Sequence, residues 1–419
     1  MKKQIYILNL LVFFVTAFAL SATAQEESLS FDQVLKSAYF NHPKMMEARK
    51  EISASKGRWI QAEALPDPEI AVSIGGFKKN EEGVRDKNLD SIEVMQPLDP
   101  LGTRFLRGRV AHDEVNISKN QLDLTWAQVS AKVISVYSQI LALEKALDVA
   151  HENLKTTRQF FMQVDTRFQS GSTRKSEVIR AKIETSRAEN ELLVAQKDLK
   201  VFKGEMNLLI GRSAETEFSL SDSLSYQPLQ IEYIGLVEKA LGQRPDMQIE
   251  KTLLSSRKKG FWSAILSTFF PKMSIGVERT TTDFDNDTAL LLSASYPLWG
   301  FNLGQVKEAK AQKDKQKIKL EAFKRQVGLE VYQAFLEAEL ADKQAMLQKK
   351  ALDEANELLK QVTVQYEEGE LAFLNYLENI RTIKETRLAY YNALKNYQEK
   401  VAELERSFQK APIPKGEMK

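Results

Sequence analysis

The side chains that could do chemistry are few and poorly placed for it. The three histidines, His42, His112 and His151, are scattered, and no His-x-x-x-His or Glu-x-x-His sets two ligands on one helix face. Asp283, Asp285 and Asp287 begin like a calcium loop, but its sixth position is Thr288 rather than glycine and its twelfth is Ala294 rather than glutamate. They read as a polar loop at the tip of a strand hairpin. Met45, Met46 and Met95 have the soft sulfur that copper or silver prefers, yet methionine at such spacings is usually core filler. Gly75-Gly76 lacks the rest of a phosphate loop, and no Gly-x-Ser-x-Gly presents a nucleophile. With no cysteine, thiolate chemistry and disulfides are absent. Nothing here calls for an enzyme, a metal or a cofactor.

The elements carry more information than the reactive groups. Lys2 and Lys3, the apolar run Ile5 to Ala19 and Ala22-Thr23-Ala24 form a signal peptide, residues 1–24, cleaved near Ala24. Without a cysteine at the new N-terminus the mature chain is not expected to be a lipoprotein. Removing the leader's two lysines leaves 57 basic against 57 acidic residues, which speaks against nucleic-acid binding. No later segment is apolar for the ~20 residues a membrane helix needs.

Punctuation residues recur about 200 positions apart. His42-Pro43 answers to Arg244-Pro245, Pro97-Leu98 to Pro297-Leu298, and Phe168-x-x-Gly171 to Tyr366-x-x-Gly369. The chain therefore reads as one unit written twice. The first repeat spans 25–225, with a strand hairpin at 68–97 and a helix hairpin at 103–210. The second spans 226–411, with hairpins at 272–297 and 303–410, before a tail at 412–419. Within 103–170, Trp126, Val133, Ile140, Leu147, Leu154, Phe161 and Phe168 recur every seven residues, a coiled-coil seam on a helix of about 100 Å. Val331, Ala338, Ala345, Leu352, Leu359 and Tyr366 repeat that register. The strands alternate, with Ile70, Val72 and Ile74 set against Glu69 and Ser73, and Met273, Ile275 and Val277 against Ser274 and Glu278. Four strands cannot close a membrane barrel, because small barrels start near eight. Strands must be pooled between copies.

This pattern resembles the TolC family of outer-membrane efflux proteins. The resemblance rests on Leu29-Ser30-Phe31-Asp32 running to Asn41-His42-Pro43, on Gln96-Pro97-Leu98 and Tyr296-Pro297-Leu298-Trp299-Gly300, and on the two glycine hairpins. It implies a mainly helical homotrimer with a small β part. Twelve strands, four per subunit, would form one barrel in outer-membrane lipid of a Gram-negative cell, and coiled-coil helical hairpins would continue it as an α-barrel across the periplasm. It further implies a passive exit duct for drugs or metal cations, fed by a periplasmic adaptor and an inner-membrane pump of the proton-driven class. The rival reading is a periplasmic coiled-coil scaffold or adaptor without a pore.

Carried over onto the turns, the family's motif falls on Phe168, Gly171, Glu177, Val178 and Ile179 and on Tyr366, Gly369, Asn375, Tyr376 and Leu377, and the resemblance implies adaptor docking at the tips, Phe168, Gly171 and Ser172 with Tyr366, Gly369 and Glu370. Arg174 and Ala372 stand where a small hydroxyl residue is commonest in the family. The first turn is basic, with Arg167, Arg174 and Lys175; the second is acidic, with Glu367, Glu368 and Glu370. If the tips alternate round a ring, their pairing would narrow its inner end, although exposed pairs are worth only about 0–1 kcal/mol each. The plainer reading is two solvated turns.

Overall fold

The computed structural model describes residues 27–74, 89–281, 286–296 and 301–414, with backbone only at Leu89, Asp90, Asn286, Glu367 and Phe373. The leader, Gly75-Gly76, Asp283, Asp285 and Pro297-Leu298-Trp299-Gly300 lie outside the described residues. The elements run β1 (Glu27–Leu29), α1 (Phe31–Asn41), α2 (Pro43–Glu63), β2 (Glu69–Ile74), β3 (Leu89–Leu98), α3 (Thr103–Gln169) and α4 (Lys175–Leu209). Then come β4 (Phe218–Leu220), α5 (Leu236–Gln243), α6 (Pro245–Phe269), β5 (Lys272–Thr281), β6 (Asn286–Ser295), α7 (Leu303–Glu367) and α8 (Phe373–Phe408).

The same local devices punctuate both halves. Ser30 caps α1 in a reciprocal capping box with Gln33. A residue before proline is pushed out of helical angles, so His42 (φ −64°, ψ 130°) and Arg244 (φ −61°, ψ 130°) each end one helix while the following proline starts the next. His42, a scattered histidine as far as metal binding goes, is thus a capping residue whose Nδ1 accepts from the Lys44 amide at 3.2 Å. Burial is the first cause that holds its pKa below the ordinary value, with Lys44 adding to it.

α3 has 67 residues and α7 has 65, each about 100 Å long at 1.5 Å per residue. They are the two continuous staves of the chain, and their partners change along the way. Near the strands the wall runs α2, α3, α6, α7; at the far end it runs α4, α3, α8, α7. At mid-length the short helices α1 and α5 pack on α3 and α7, and two apolar cores form there. One is centred on Trp126, Val133 and Ile140 with Phe218 and Met206; the other on Val327, Val331 and Leu404 with Met247. Fully burying a side chain of this size is worth about 1.5–3 kcal/mol. These two cores hold the level at which the wall changes partners.

The seven-residue seam of α3 is narrower in the sequence than in the structure. Trp126 to Ile140 is buried as read, but beyond it Leu141, Ala142, Val149 and Thr157 join the buried set, Phe160 replaces Phe161, and Phe168 is 39% exposed. The reason is that α3 is flanked on both sides, by α4 and α8, and so needs two contact stripes. A parallel pairing of β1 with β4 was also missed, because three-residue strands give no readable alternation.

Candidate functional site

Two surfaces stand out, at opposite ends of the staves. The first is an antiparallel sheet in the order β2-β3-β5-β6. Its register lines up Ile70, Val94, Val277 and Leu290 in one row across all four strands, followed towards the helices by the rows Gln96-Ile275-Leu292 and Leu98-Met273-Ala294 and on the other side by Val72-Ile92-Arg279-Thr288, so that the face is apolar but for Gln96, Arg279 and Thr288. These apolar side chains are open on the single chain, from Leu98 at 38% to Leu290 at 75% exposure. The other face carries Ala71-Glu93-Glu278-Ala289 and Ser73-Ser91-Thr280-Asp287. On β3 and β5 its residues are less exposed than those of the apolar face, as on the concave side of a curved sheet. β2 and β6 are both edges, with their outer ladder groups unpaired among the described residues. A ten-residue strand tilted by about 45° rises about 25 Å, the height of an outer-membrane apolar band. Among the described residues no helix is long and apolar enough to cross a membrane.

The second surface is the pair of turns. Gly171 (φ +76°) and Gly369 (φ +81°) sit in left-handed backbone, where a side chain would be strained. Each closes its helix with the same two bonds. Ser172 N–H donates to Arg167 O at 2.8 Å and Gly171 N–H to Phe168 O at 2.9 Å; Glu370 N–H donates to Gln365 O at 2.9 Å and Gly369 N–H to Tyr366 O at 3.2 Å.

The two turns differ in what surrounds them. Tyr366 is buried and stacks on Tyr376 at 4.5 Å between ring centres, with Phe160 of the other hairpin 5.6 Å away. Burial is the main reason the Tyr366 hydroxyl is held above its ordinary pKa, and Arg167 pulls the other way. Phe168, its counterpart by position, is open to solvent. Arg167, Ser172, Arg174 and Lys175 are exposed at the first tip, and Glu368 and Glu370 at the second; the Glu367 side chain lies outside the described residues. No ion pair joins the basic tip to the acidic one within the chain, among the described residues.

What does join the hairpins is a ladder further up, which the sequence reading missed. Arg381 reaches Glu184 at 2.6 Å, Lys384 reaches Glu191 at 2.9 Å and Arg387 reaches Glu152 at 2.6 Å. The cations recur every three residues on α8 and two of the acids stand seven apart on α4, but the third, Glu152, is on α3, and the spacings alone do not say that these helices are neighbours. At mid-length, Tyr137 Oη donates to Asp222 Oδ2 at 2.6 Å, and the Phe31 amide donates to the same oxygen at 2.9 Å. These bonds, Tyr137 first, hold the Asp222 carboxyl below its ordinary pKa. In the second half Tyr226 donates to Asp342 at 2.9 Å and Tyr397 to the Gln227 carbonyl at 2.6 Å; burial first, then Asp342, pushes the Tyr397 hydroxyl up to about 12. Met45 is fully buried beside the core around Trp126, Met46 is exposed and Met95 lies on β3 beyond the length of α2, so the three sulfurs do not converge. Among the described residues no group of histidine and carboxylate side chains could hold a metal ion.

Sheet and staves match proteins already known. The family model for outer membrane efflux proteins matches this chain twice, over residues 34–212 and 236–408. The cobalt-zinc-cadmium resistance protein CzcC of Cupriavidus metallidurans is 21% identical over 373 residues, 87% of this chain and 86% of the relative. The CmeC outer membrane channel of Campylobacter jejuni superposes with a TM-score of 0.77 at 13% identity, covering 92% of this chain and 87% of its own. The open state of the MtrE outer membrane channel of Neisseria gonorrhoeae gives 0.72 at 18% identity, with 90% and 88% covered. These solved channels share the fold of this chain, and with both halves matched by the family model the chain belongs to the outer membrane efflux protein family.

Proposed function

We propose that three copies of this outer-membrane efflux channel subunit close one twelve-stranded barrel, β6 of each against β2 of the next. The observation that carries this is the four-stranded sheet with an apolar outer face and both edges open. In a bilayer every ladder group must be paired, and a barrel of twelve strands meets that demand where four cannot. Lower down, exposed Ile183, Leu193 and Val201 of α4 and Leu329, Leu336 and Leu340 of α7 lie on the two outer flanks of each protomer, where the next copy would cover them. A soluble periplasmic scaffold would leave both the apolar row and these stripes in water.

In this reading residues 1–24 direct export and are removed, and the hollow of the staves is a passive duct through the periplasm. The tips at Phe168, Gly171 and Ser172 and at Tyr366, Gly369 and Glu370 meet a periplasmic adaptor, which couples the duct to an inner-membrane pump of the proton-driven class. The opposite charges of Arg167, Arg174 and Lys175 and of Glu367, Glu368 and Glu370 then meet between neighbouring protomers and keep the inner end narrow. For cargo we favour divalent metal cations over drugs, on the likeness to a cobalt-zinc-cadmium resistance protein. Deleting the chain and titrating growth against cobalt, zinc, cadmium, dyes and bile-like detergents tests this. Sensitivity to the three metals alone is the expected result; sensitivity to dyes and detergents alone would assign the duct to drugs.

A further inference from the structure

Where the staves meet the sheet, one side of the wall carries a repeated pairing of an exposed apolar residue with an unpartnered cation. On α6, Lys259 pairs with Asp113 of α3 and the Arg257 guanidinium donates to Gln312 of α7 at 2.9 Å, which fixes the two flanks. At 100° per residue, Lys258, Trp262 and Phe269 lie within about 40° of one another on one free side, and Ser256, Gly260, Ser263 and Ser267 on the other. Trp262 is 58% exposed and Phe269 68%. An aromatic stripe facing out and a small, polar stripe facing in is the arrangement a wet tube in lipid requires.

Following the direction of each helix round the wall puts the same pairing on its neighbours. On α2 it is Ile60 with Lys56, on α3 Phe105 with Arg109, and on α7 Leu303 with Lys310. The Arg109 guanidinium lies 5.2 Å from the Phe105 ring. In every case the apolar residue is nearer the sheet and the cation further from it. By helical rise Lys56, Arg109 and Lys310 stand about 9–11 Å, and Lys258 about 16 Å, inside the sheet-side ends of their helices, and side chains that snorkel towards the sheet shorten that distance to a headgroup layer about 5–8 Å deep.

The carboxylates of this band are mostly engaged while these four cations are not. Asp99 is held by Arg107 at 2.8 Å, Glu63 accepts from the Trp59 indole at 2.8 Å, Asp113 pairs with Lys259 and Glu114 with Arg58 at 3.7 Å. Asp67, in the link before β2, is without a cation partner among the described residues, as are Lys56, Arg109, Lys258 and Lys310 without a carboxylate. We propose that these four cations, each set one or two helical turns below an exposed apolar residue, form a collar that selects phospholipids with an anionic headgroup from the leaflet facing the periplasm.

The inference rests on the membrane-embedded reading above, and its test separates the two. The full-length protein, extracted in neutral detergent, is incubated with equal amounts of phosphatidylglycerol and phosphatidylethanolamine of the same chain length, and the retained lipids are weighed by native mass spectrometry. The wild type should keep phosphatidylglycerol in clear excess and lose that excess in high salt. Changing all four cations (Lys56→Gln, Arg109→Gln, Lys258→Gln, Lys310→Gln) should abolish it, at about fivefold per cation removed. The pair Lys315→Gln and Lys319→Gln, on the inward side of α7, should leave it unchanged. Equal retention of the two lipids by the wild type would overturn the collar while leaving the barrel intact, and so would a preference insensitive to salt. Retention of neither lipid, together with failure to enter vesicles, would instead overturn the membrane reading itself.

Discussion

At the scale of single residues, the chain invests in fastening its mid-length rather than in reactive groups. Trp126 is 1% exposed and its indole donates to the Pro412 carbonyl at 2.9 Å, so one side chain fills the first core and pins the chain after α8 beside it. Trp126→Ala should cost about 3–5 kcal/mol through the cavity and free the tail, seen as a lower melting temperature and early proteolysis after Ala411. Asp222 is the other clasp. Its folded pKa lies below the ordinary 3.8, so its contribution is fully present above that value and is lost as pH falls through the folded one. Asp222→Asn should therefore lower stability by about 1 kcal/mol at pH 7, and its melting curve should merge with that of the wild type in strong acid. A difference that persisted in acid would mean the carboxylate charge is not what holds α1 to Tyr137.

At the scale of elements, the long staves were legible because seven-residue periodicity and the lack of proline survive in any environment. The turns were legible too, since Gly171 and Gly369 announce themselves by type. Both adopt positive φ with open space around the missing Cβ, so only backbone strain opposes a side chain there. Gly171→Ala and Gly369→Ala should each cost about 1 kcal/mol and leave the fold intact, which paired melting curves would show. A much larger loss would mean the tips touch something the single chain does not contain. Other features were hidden in the sequence. The ladder of Glu184, Glu191 and Glu152 against Arg381, Lys384 and Arg387 depends on which helices become neighbours, and no periodicity within one helix states that. Phe168 and Tyr366 occupy like positions in the repeat, yet one is open and the other is stacked under Tyr376. Duplication predicted equivalence; packing against the companion hairpin broke it.

At the scale of the whole molecule, the single chain is incomplete in a directed way: among the described residues two sheet edges, two apolar helix flanks and the apolar sheet face all lack partners. On the proposed reading the charges at the tips pair only once copies are arranged in a ring. Reversing Glu367, Glu368 and Glu370 to lysine should then widen the inner end and raise single-channel conductance in a planar bilayer, with a weaker response to salt than the wild type. Unchanged conductance would leave the tips as solvated turns. All of this stands on the number of copies that share one barrel, and the mass of the detergent-extracted outer-membrane complex reads that number directly. Native mass spectrometry should find three chains in a single particle that separates on heating, whereas a monomer, or a protein recovered in the soluble periplasmic fraction, would contradict the account.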